Sequence, residues 1–191
     1  GRTSVMLEVM DERYDVIIVG GRPAGASLAA RLGAKGVRVL VLDKCSFPSR
    51  PAVSAPFLLP HAMALLDELG VDEADYAEGT PPLRRFVLEF GGYFRAPFRF
   101  FDPLAGRTHF YGIDRARLDT CLWRNLQHYD AVTAVEAATV QALLRDDTGR
   151  VTGVRALLPG EEAPRELHAG CVVGADGRNS LVARQVDAEI A

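Results

Sequence analysis

The chain has 191 residues, a net charge of −3 and 25% charged residues. That length allows one domain, or one domain and part of another. The charge balance gives no basic surface for nucleic acid, and the apolar runs are too short for a membrane span, so we expect neither a nucleic-acid partner nor a spanning helix.

The first predicted elements form a strand–helix–strand unit. Residues 1–13 carry no such signal, and we interpret them as a leader or tag remnant. The apolar, largely β-branched residues 14–19 predict a buried parallel strand. Pro23 suits the first turn of a helix that is rich in small residues. A second buried strand is predicted over 37–42.

The turn between the first strand and the helix is rich in glycine, and an acid ends the second strand. A strand, a glycine turn and a helix start are how a dinucleotide pyrophosphate is held, and a carboxylate about twenty residues later accepts hydrogen bonds from a ribose. The candidate residues for this dinucleotide site are Gly20, Arg22, Pro23, Ala24, Gly25 and Asp43.

Arg22 departs from the glycine fingerprint, because it stands where the second glycine is expected. That glycine normally lets the backbone approach the pyrophosphate. Arg22 therefore either weakens binding or places a guanidinium beside the phosphates, and we favour the second because strand, helix and acid are intact. Lys44, the next residue after the acid, either contacts adenosine or is solvated.

The middle of the chain is less regular. We predict a proline-marked loop over 44–60, a short helix over 61–69 and an acidic surface connection over 71–82. Residues 84–111 are aromatic and β-like, which favours sheet core over a pocket wall for any one aromatic. Asp114 is a plausible N-cap for a helix that ends near residue 127.

The last third predicts several strands over 131–173, with a hairpin turn at 147–150 and a final helix after Asn179. The three widely spaced cysteines indicate a reducing cytoplasm, and the four histidines lack metal-ligand spacing, so we expect no metal site. No residue pattern defines a catalytic acid, base or nucleophile, and the catalytic residues stay unknown.

Four segments carry a family resemblance: 20–25, 42–44, 112–119 and 174–177. Together they resemble the para-hydroxybenzoate hydroxylase-like flavoprotein superfamily, which also includes geranylgeranyl reductases and flavin halogenases. The last segment, Gly-Ala-Asp-Gly, is the most specific, since ordinary Rossmann dehydrogenases lack it.

The resemblance implies an α/β fold: a three-layer FAD/NAD(P)-binding domain with a parallel sheet, plus part of an antiparallel substrate sheet. It assigns 14–82 and 112–191 to the FAD-binding domain and 83–111 to the substrate sheet. It also implies that Arg115 approaches the FAD pyrophosphate and that Asp176 and Gly177 help to anchor FAD, with NAD(P)H as the reductant.

The resemblance further implies a flavin-dependent oxidoreductase, most simply an NAD(P)H-dependent monooxygenase acting on a small organic substrate. The alternatives are a prenyl-type reductase or halogenase on the same scaffold, or a non-catalytic truncated fragment. Family members continue well beyond residue 176, so we expect self-association or a complementing C-terminal half. The substrate, the reaction type and the choice of NADH or NADPH stay open.

Overall fold

The structure is a computed structural model that describes residues 13–49, 57–99 and 106–189. Its strands are β1 Tyr14–Val19, β2 Val39–Leu42, β3 Phe57–Leu58, β4 Arg85–Phe90, β5 Phe94–Arg99, β6 Tyr111–Gly112, β7 Val132–Val135, β8 Thr139–Arg145, β9 Val151–Leu157 and β10 Arg165–Gly174. Its α-helices are α1 Pro23–Gly33, α2 Pro60–Glu68, α3 Glu73–Tyr76, α4 Arg115–Asn125 and α5 Leu181–Gln185. A 3₁₀ turn, Leu126–His128, follows α4.

The chain divides into two compact units. The first comprises Gly1–Ser49 and Leu122–Ala191, and the second comprises Arg50–Cys121. The first unit holds a six-stranded sheet in the order β7-β2-β1-β10-β9-β8. Four of these strands are parallel and the last two are antiparallel, which confirms the predicted α/β class.

Strand β10 changes partners along its length. Its first part, from Arg165 to His168, is antiparallel to β9. Its last part pairs in parallel with β1, from Tyr14↔Ala169 to Val19↔Gly174. The carboxyl ends of β1 and β10 therefore lie side by side, although their residues are far apart in the sequence.

Small residues let helix α1 pack closely on the sheet of the first unit. Gly25, Ala26, Ala29 and Ala30 form its buried face. Near the end of the helix, a Cβ on Gly33 would overlap the side chain of Val132 in β7. This close packing fixes where the N-terminus of α1 meets the end of β1.

The core of the first unit consists of aliphatic side chains from both halves of its sheet. Ile17, Leu40 and Val154 have no exposed surface. They belong to one cluster that also takes in residues of β7, β10 and α5. Burying such residues stabilises the folded state by about 1.5–3 kcal/mol per side chain. This core therefore holds the carboxyl ends of β1, β2 and β10 in place.

In the second unit, β4 and β5 form an antiparallel hairpin with two unlike faces. The pairs Phe86↔Phe98, Leu88↔Ala96 and Phe90↔Phe94 lie on one face, because side chains alternate along each strand. Arg85, Glu89 and Arg95 take the other. Phe90, Tyr93, Phe94 and Phe98 are all largely exposed, whereas Phe100 and Phe101 fall outside the described residues.

The acidic segment predicted as a surface connection contains structure. Asp72 accepts a hydrogen bond from the Ala74 N–H and begins the short helix α3. Within this segment Val71 and Tyr76 are buried. Most of the segment is exposed, as a surface connection requires, but its acidic residues surround apolar side chains that pack inward.

Among the described residues, no helix combines the length and the apolar character that crossing a bilayer requires. The three cysteines, Cys45, Cys121 and Cys171, form no disulfide among the described residues. The proposed leader over residues 1–13 falls almost entirely outside the described part of the chain, and so do residues 50–56 of the proline-marked loop.

Candidate functional site

The glycine turn joins β1 to α1 at the carboxyl edge of the parallel strands. Gly20 has a φ of +102°, a conformation that residues with a side chain rarely adopt. A Cβ there would also overlap the carbonyl oxygen of Ala175. The Gly20 N–H donates to the Leu42 carbonyl at 2.8 Å, so the turn is tied to both neighbouring strand ends.

The N-terminus of α1 lies directly after this turn and has no side-chain cap. Pro23 occupies its first turn, Ala24 is exposed, and the residue before the helix makes no capping hydrogen bond. A Cβ on Gly25 would overlap the Gly20 carbonyl oxygen, so only glycine lets helix and turn approach this closely. Uncapped N–H groups at a helix N-terminus suit a phosphate.

Arg22 adopts ordinary extended backbone, with φ −80° and ψ −172°. The absence of the second fingerprint glycine therefore causes no backbone strain. Its guanidinium donates to Ser49 Oγ at 2.9 Å and to the Ser49 carbonyl at 3.3 Å, and it lies 3.8 Å from Cys45 Sγ. It also lies over the Phe47 ring, 5.6 Å from the centroid. That it also reaches a phosphate stays a prediction.

Two aromatic residues that the sequence did not single out border the turn. The rings of Phe47 and Trp123 stack with centroids 4.9 Å apart and planes inclined by 24°. Gly21 lies against Trp123 so closely that a Cβ would overlap the indole ring. Trp123 is the only tryptophan in the chain. The sequence predicted the helix that carries it, from the Asp114 N-cap, but not its contact with the turn.

Asp43, the predicted ribose acid, is buried at the end of β2. One carboxylate oxygen accepts the Gly21 N–H at 2.7 Å and the other accepts the Cys45 N–H at 2.8 Å. Each oxygen retains a lone pair for a further donor such as a ribose hydroxyl. Lys44 beside it is exposed.

Asp176 lies beside the glycine turn through its backbone, because the Ala175 N–H donates to the Val19 carbonyl at 2.7 Å. Its carboxylate accepts from Ser180 Oγ at 2.5 Å and from the Leu181 N–H at 2.6 Å. It thus fixes the start of α5. Gly177, with a φ of +83°, lies in the turn between Asp176 and helix α5. A contact of either residue with FAD stays a prediction.

Arg115 belongs to the second unit, at the start of α4. Its guanidinium donates to Asp119 Oδ1 at 3.0 Å, and the Asp119 side chain is fully buried. The helix begins as predicted, since Asp114 Oδ1 accepts the Ala116 N–H at 2.9 Å. The predicted approach of Arg115 to a pyrophosphate stays a prediction.

A second polar cluster, unforeseen from the sequence, centres on Glu73 in the second unit. Its carboxylate contacts His109 Nε2 at 2.7 Å, accepts from the Tyr111 hydroxyl at 2.8 Å and accepts from Arg107 Nε at 2.9 Å. Arg107 also makes a bidentate pair with Asp67. This cluster ties residues 107–111 to helices α2 and α3.

Burial and the charges of this cluster shift the pKa values of Glu73, Tyr76, Arg107 and Tyr111. Burial acts to raise the pKa of Glu73, but hydrogen bonds from His109, Tyr111 and Arg107 outweigh it and lower that pKa. Burial and the charge of Glu73 raise the pKa of Tyr76. The Tyr76 hydroxyl is buried and meets no hydrogen-bond partner among the described residues. Those residues also contain no group of three acidic, histidine or cysteine side chains able to hold a metal ion.

The residues around the glycine turn fit the ADP part of a dinucleotide. They provide a cradle that a Cβ would fill at Gly20, an uncapped helix N-terminus at Ala24 and a buried carboxylate at Asp43. These three features match a pyrophosphate and an adjacent ribose. The site lies at the carboxyl ends of parallel strands, where α/β sheets bind their ligands.

Comparison with known proteins agrees with this geometry. A family model described as an FAD binding domain matches residues 13–191. The curated relatives include the protein FixC of Bradyrhizobium diazoefficiens, 29% identical over 91% of this chain and 39% of FixC. They also include a 3-(3-hydroxy-phenyl)propionate/3-hydroxycinnamic acid hydroxylase of Comamonas testosteroni, 29% identical over 91% of this chain and 29% of the hydroxylase.

Among solved structures, the chain resembles the myxobacterial chondrochloren halogenase CndH, described as a variant of FAD-dependent halogenases. The two are 28% identical, with a TM-score of 0.73, over 87% of this chain and 38% of the halogenase. The chain thus spans well under half the length of each of these three proteins.

Proposed function

Because the chain belongs to the FAD binding domain family, we propose that it is the FAD-binding portion of a flavin-dependent oxidoreductase. The observation that carries the proposal is the meeting of two distant segments. Gly20 of the glycine turn and Asp176 of the aspartate-glycine segment lie side by side, because β1 and β10 pair in parallel up to Val19↔Gly174.

The proposed roles follow from the geometry of the turn. Gly20, Pro23, Ala24 and Gly25 would hold the pyrophosphate through the backbone and the helix N-terminus, where aligned peptide dipoles favour a negative charge. Arg22 would add positive charge nearby.

Outside the turn, Asp43 would accept a hydroxyl of the adenosine ribose with the lone pairs that Gly21 and Cys45 leave. Lys44 would border the adenosine. The family resemblance further assigns FAD contacts to Arg115, Asp176 and Gly177.

Bound flavin would supply the electron transfer and oxygen chemistry, whereas the protein supplies binding, orientation and exclusion of water. We propose NAD(P)H as the reductant and hydroxylation of a small organic substrate as the reaction. The similarity to the Comamonas testosteroni hydroxylase supports this. We assign no catalytic acid or base to this chain.

Halogenation is the second candidate, and the similarity to CndH favours it specifically. Both reactions depend on the surroundings of the flavin ring. The relatives are more than twice as long as this chain, so most of those surroundings would come from the remainder of a longer protein. We therefore propose that activity needs a complementing C-terminal half or self-association.

The test is equilibrium dialysis of the chain against FAD, with bound flavin read from its visible absorbance. We expect saturable binding that Gly20→Ala abolishes, because a Cβ there meets both an unfavourable φ and the Ala175 carbonyl. Gly36→Ala is the matched control: its φ is +75° but nothing lies within 4 Å of its Cβ. It should cost about 1 kcal/mol of stability and leave FAD binding intact. A parent chain whose compartment holds no more flavin than the buffer side at high FAD refutes the proposal.

A further inference from the structure

The loop after the predicted ribose acid, residues 44–49, is fastened at both of its ends. At its start, the Cys45 N–H donates to Asp43 and the Cys45 carbonyl accepts the Ala137 N–H at 3.1 Å. At its end, Ser49 accepts two hydrogen bonds from Arg22. An irregular loop held at two points has a defined position beside the glycine turn.

Between those points, Phe47 connects the loop to Trp123 of helix α4. Its ring stacks on Trp123, and the Arg22 guanidinium lies over it. We call these three residues the Arg22–Phe47–Trp123 stack. Trp123 is buried, whereas Arg22 and Phe47 are half-buried. Aromatic pairs and cation–π contacts of this kind hold groups in one mutual geometry.

The stack contacts the backbone that would bind the cofactor. Gly21, whose N–H bonds to Asp43, lies directly against Trp123. Arg22 is the next residue and is the N-cap position of α1. A displacement of Phe47 would therefore remove its ring contacts with Arg22 and Trp123 together, and would leave the loop held only at its two ends.

We propose that the Arg22–Phe47–Trp123 stack positions the adenosine end of the cofactor site. It does so by holding loop 44–49 against the glycine turn, with the planar guanidinium of Arg22 as one layer. This rests on the proposed function, in that FAD is the ligand. Phe47 and Trp123 lie outside the glycine fingerprint, and only Arg22 belongs to it. The part of FAD that the stack serves would be adenosine diphosphate rather than the flavin ring.

The experiment measures the dissociation constants of FAD and of ADP by equilibrium dialysis, for the parent chain, Phe47→Ala, Arg22→Lys and Phe94→Ala. All are measured well below the melting temperature of each variant, so that the folded fraction is the same. We expect Phe47→Ala to weaken FAD and ADP by the same factor, about fivefold. Phe94→Ala, an exposed aromatic of the other unit, should change neither.

Arg22→Lys separates the stack from a simple charge effect and also serves if Phe47→Ala fails to fold. Lysine keeps the positive charge but loses the planar, two-point contact with Ser49. The stack predicts weakening comparable to that of Phe47→Ala. Unchanged affinity in Arg22→Lys, or in a folded Phe47→Ala, would overturn this inference while leaving FAD binding in place. A parent that binds neither FAD nor ADP would instead overturn the proposed function.

Discussion

Asp43 differs from a surface carboxylate because its side chain accepts hydrogen bonds from two backbone N–H groups at once. It is buried, and its two oxygens accept the N–H groups of Gly21 and Cys45. Those bonds fix the direction of the carboxylate before any ligand arrives. The same residue therefore shapes the turn and keeps lone pairs free for the ribose contact that we propose.

We expect Asp43→Ala to weaken FAD binding by about 1–3 kcal/mol, the range for losing a charge-assisted hydrogen bond. It should also lower the free energy of unfolding, because two N–H groups lose their acceptor. Dialysis against FAD and urea unfolding measure the two effects.

The control for Asp43→Ala is Asp15→Ala. Asp15 accepts the Arg38 N–H at 2.9 Å at an exposed position away from the turn. This variant should leave FAD affinity unchanged. Equal affinity in Asp43→Ala and the parent would remove Asp43 from the cofactor site.

At the scale of elements, local patterns predicted the first strand–helix–strand unit well. Strand β1, helix α1 and the Asp114 cap of α4 all lie where apolar runs, Pro23 and Asp114 placed them. These features depend on a few neighbouring residues. The family resemblance, which rests on motifs within such elements, is confirmed by the family match over residues 13–191.

Contacts between distant segments could not be predicted in this way. Phe47 stands in a proline-marked loop and Trp123 stands on a helix, and nothing in either segment indicates that they stack. The same holds for Glu73, whose partners lie more than thirty residues away. Such contacts follow from tertiary packing, which periodicity does not encode.

The Glu73 cluster should make stability depend on pH. The folded pKa of Glu73 lies below its ordinary value of 4.5. Its contribution is therefore present above that unfolded value and is lost as the pH falls through the lower folded pKa. We expect Glu73→Gln to cost about 1–3 kcal/mol at neutral pH and progressively less below about pH 4. Urea unfolding of both proteins across pH measures this.

Glu161→Gln provides the matched control for the cluster. Glu161 makes an ion pair with Arg165, four residues along the chain, at 3.1 Å. One such pair contributes up to about 1 kcal/mol. If Glu73→Gln cost no more than Glu161→Gln at neutral pH, the cluster would have no special role in stability.

At the scale of the molecule, the apolar face of the β4–β5 hairpin predicts association. Phe90 and Phe94 pair across the strands and are 64% and 54% exposed. We expect the chain to self-associate, and Phe90→Ser with Phe94→Ser to reduce the mass measured by light scattering, because large exposed apolar patches drive contact. Glu89→Gln with Arg95→Gln, on the opposite face, is the control. A monodisperse parent monomer would contradict the expectation.

The chain alone should also be inactive. With added FAD we expect no substrate-stimulated oxidation of NADPH, because the relatives that it matches are more than twice as long. The assay follows NADPH absorbance with candidate aromatic substrates present and absent. Turnover that depends on substrate would show that 191 residues suffice.

The pairing of β1 with β10 has a consequence for how the protein is made. Tyr14 leaves the ribosome 155 positions before its partner Ala169. At about 5–20 residues per second, that interval lasts roughly 8–30 s. During synthesis β1 can pair with β2, but the edge of β1 that pairs with β10 stays open until β10 has been made. Until translation has passed Gly174, that unpaired apolar edge is open to pairing with other strands.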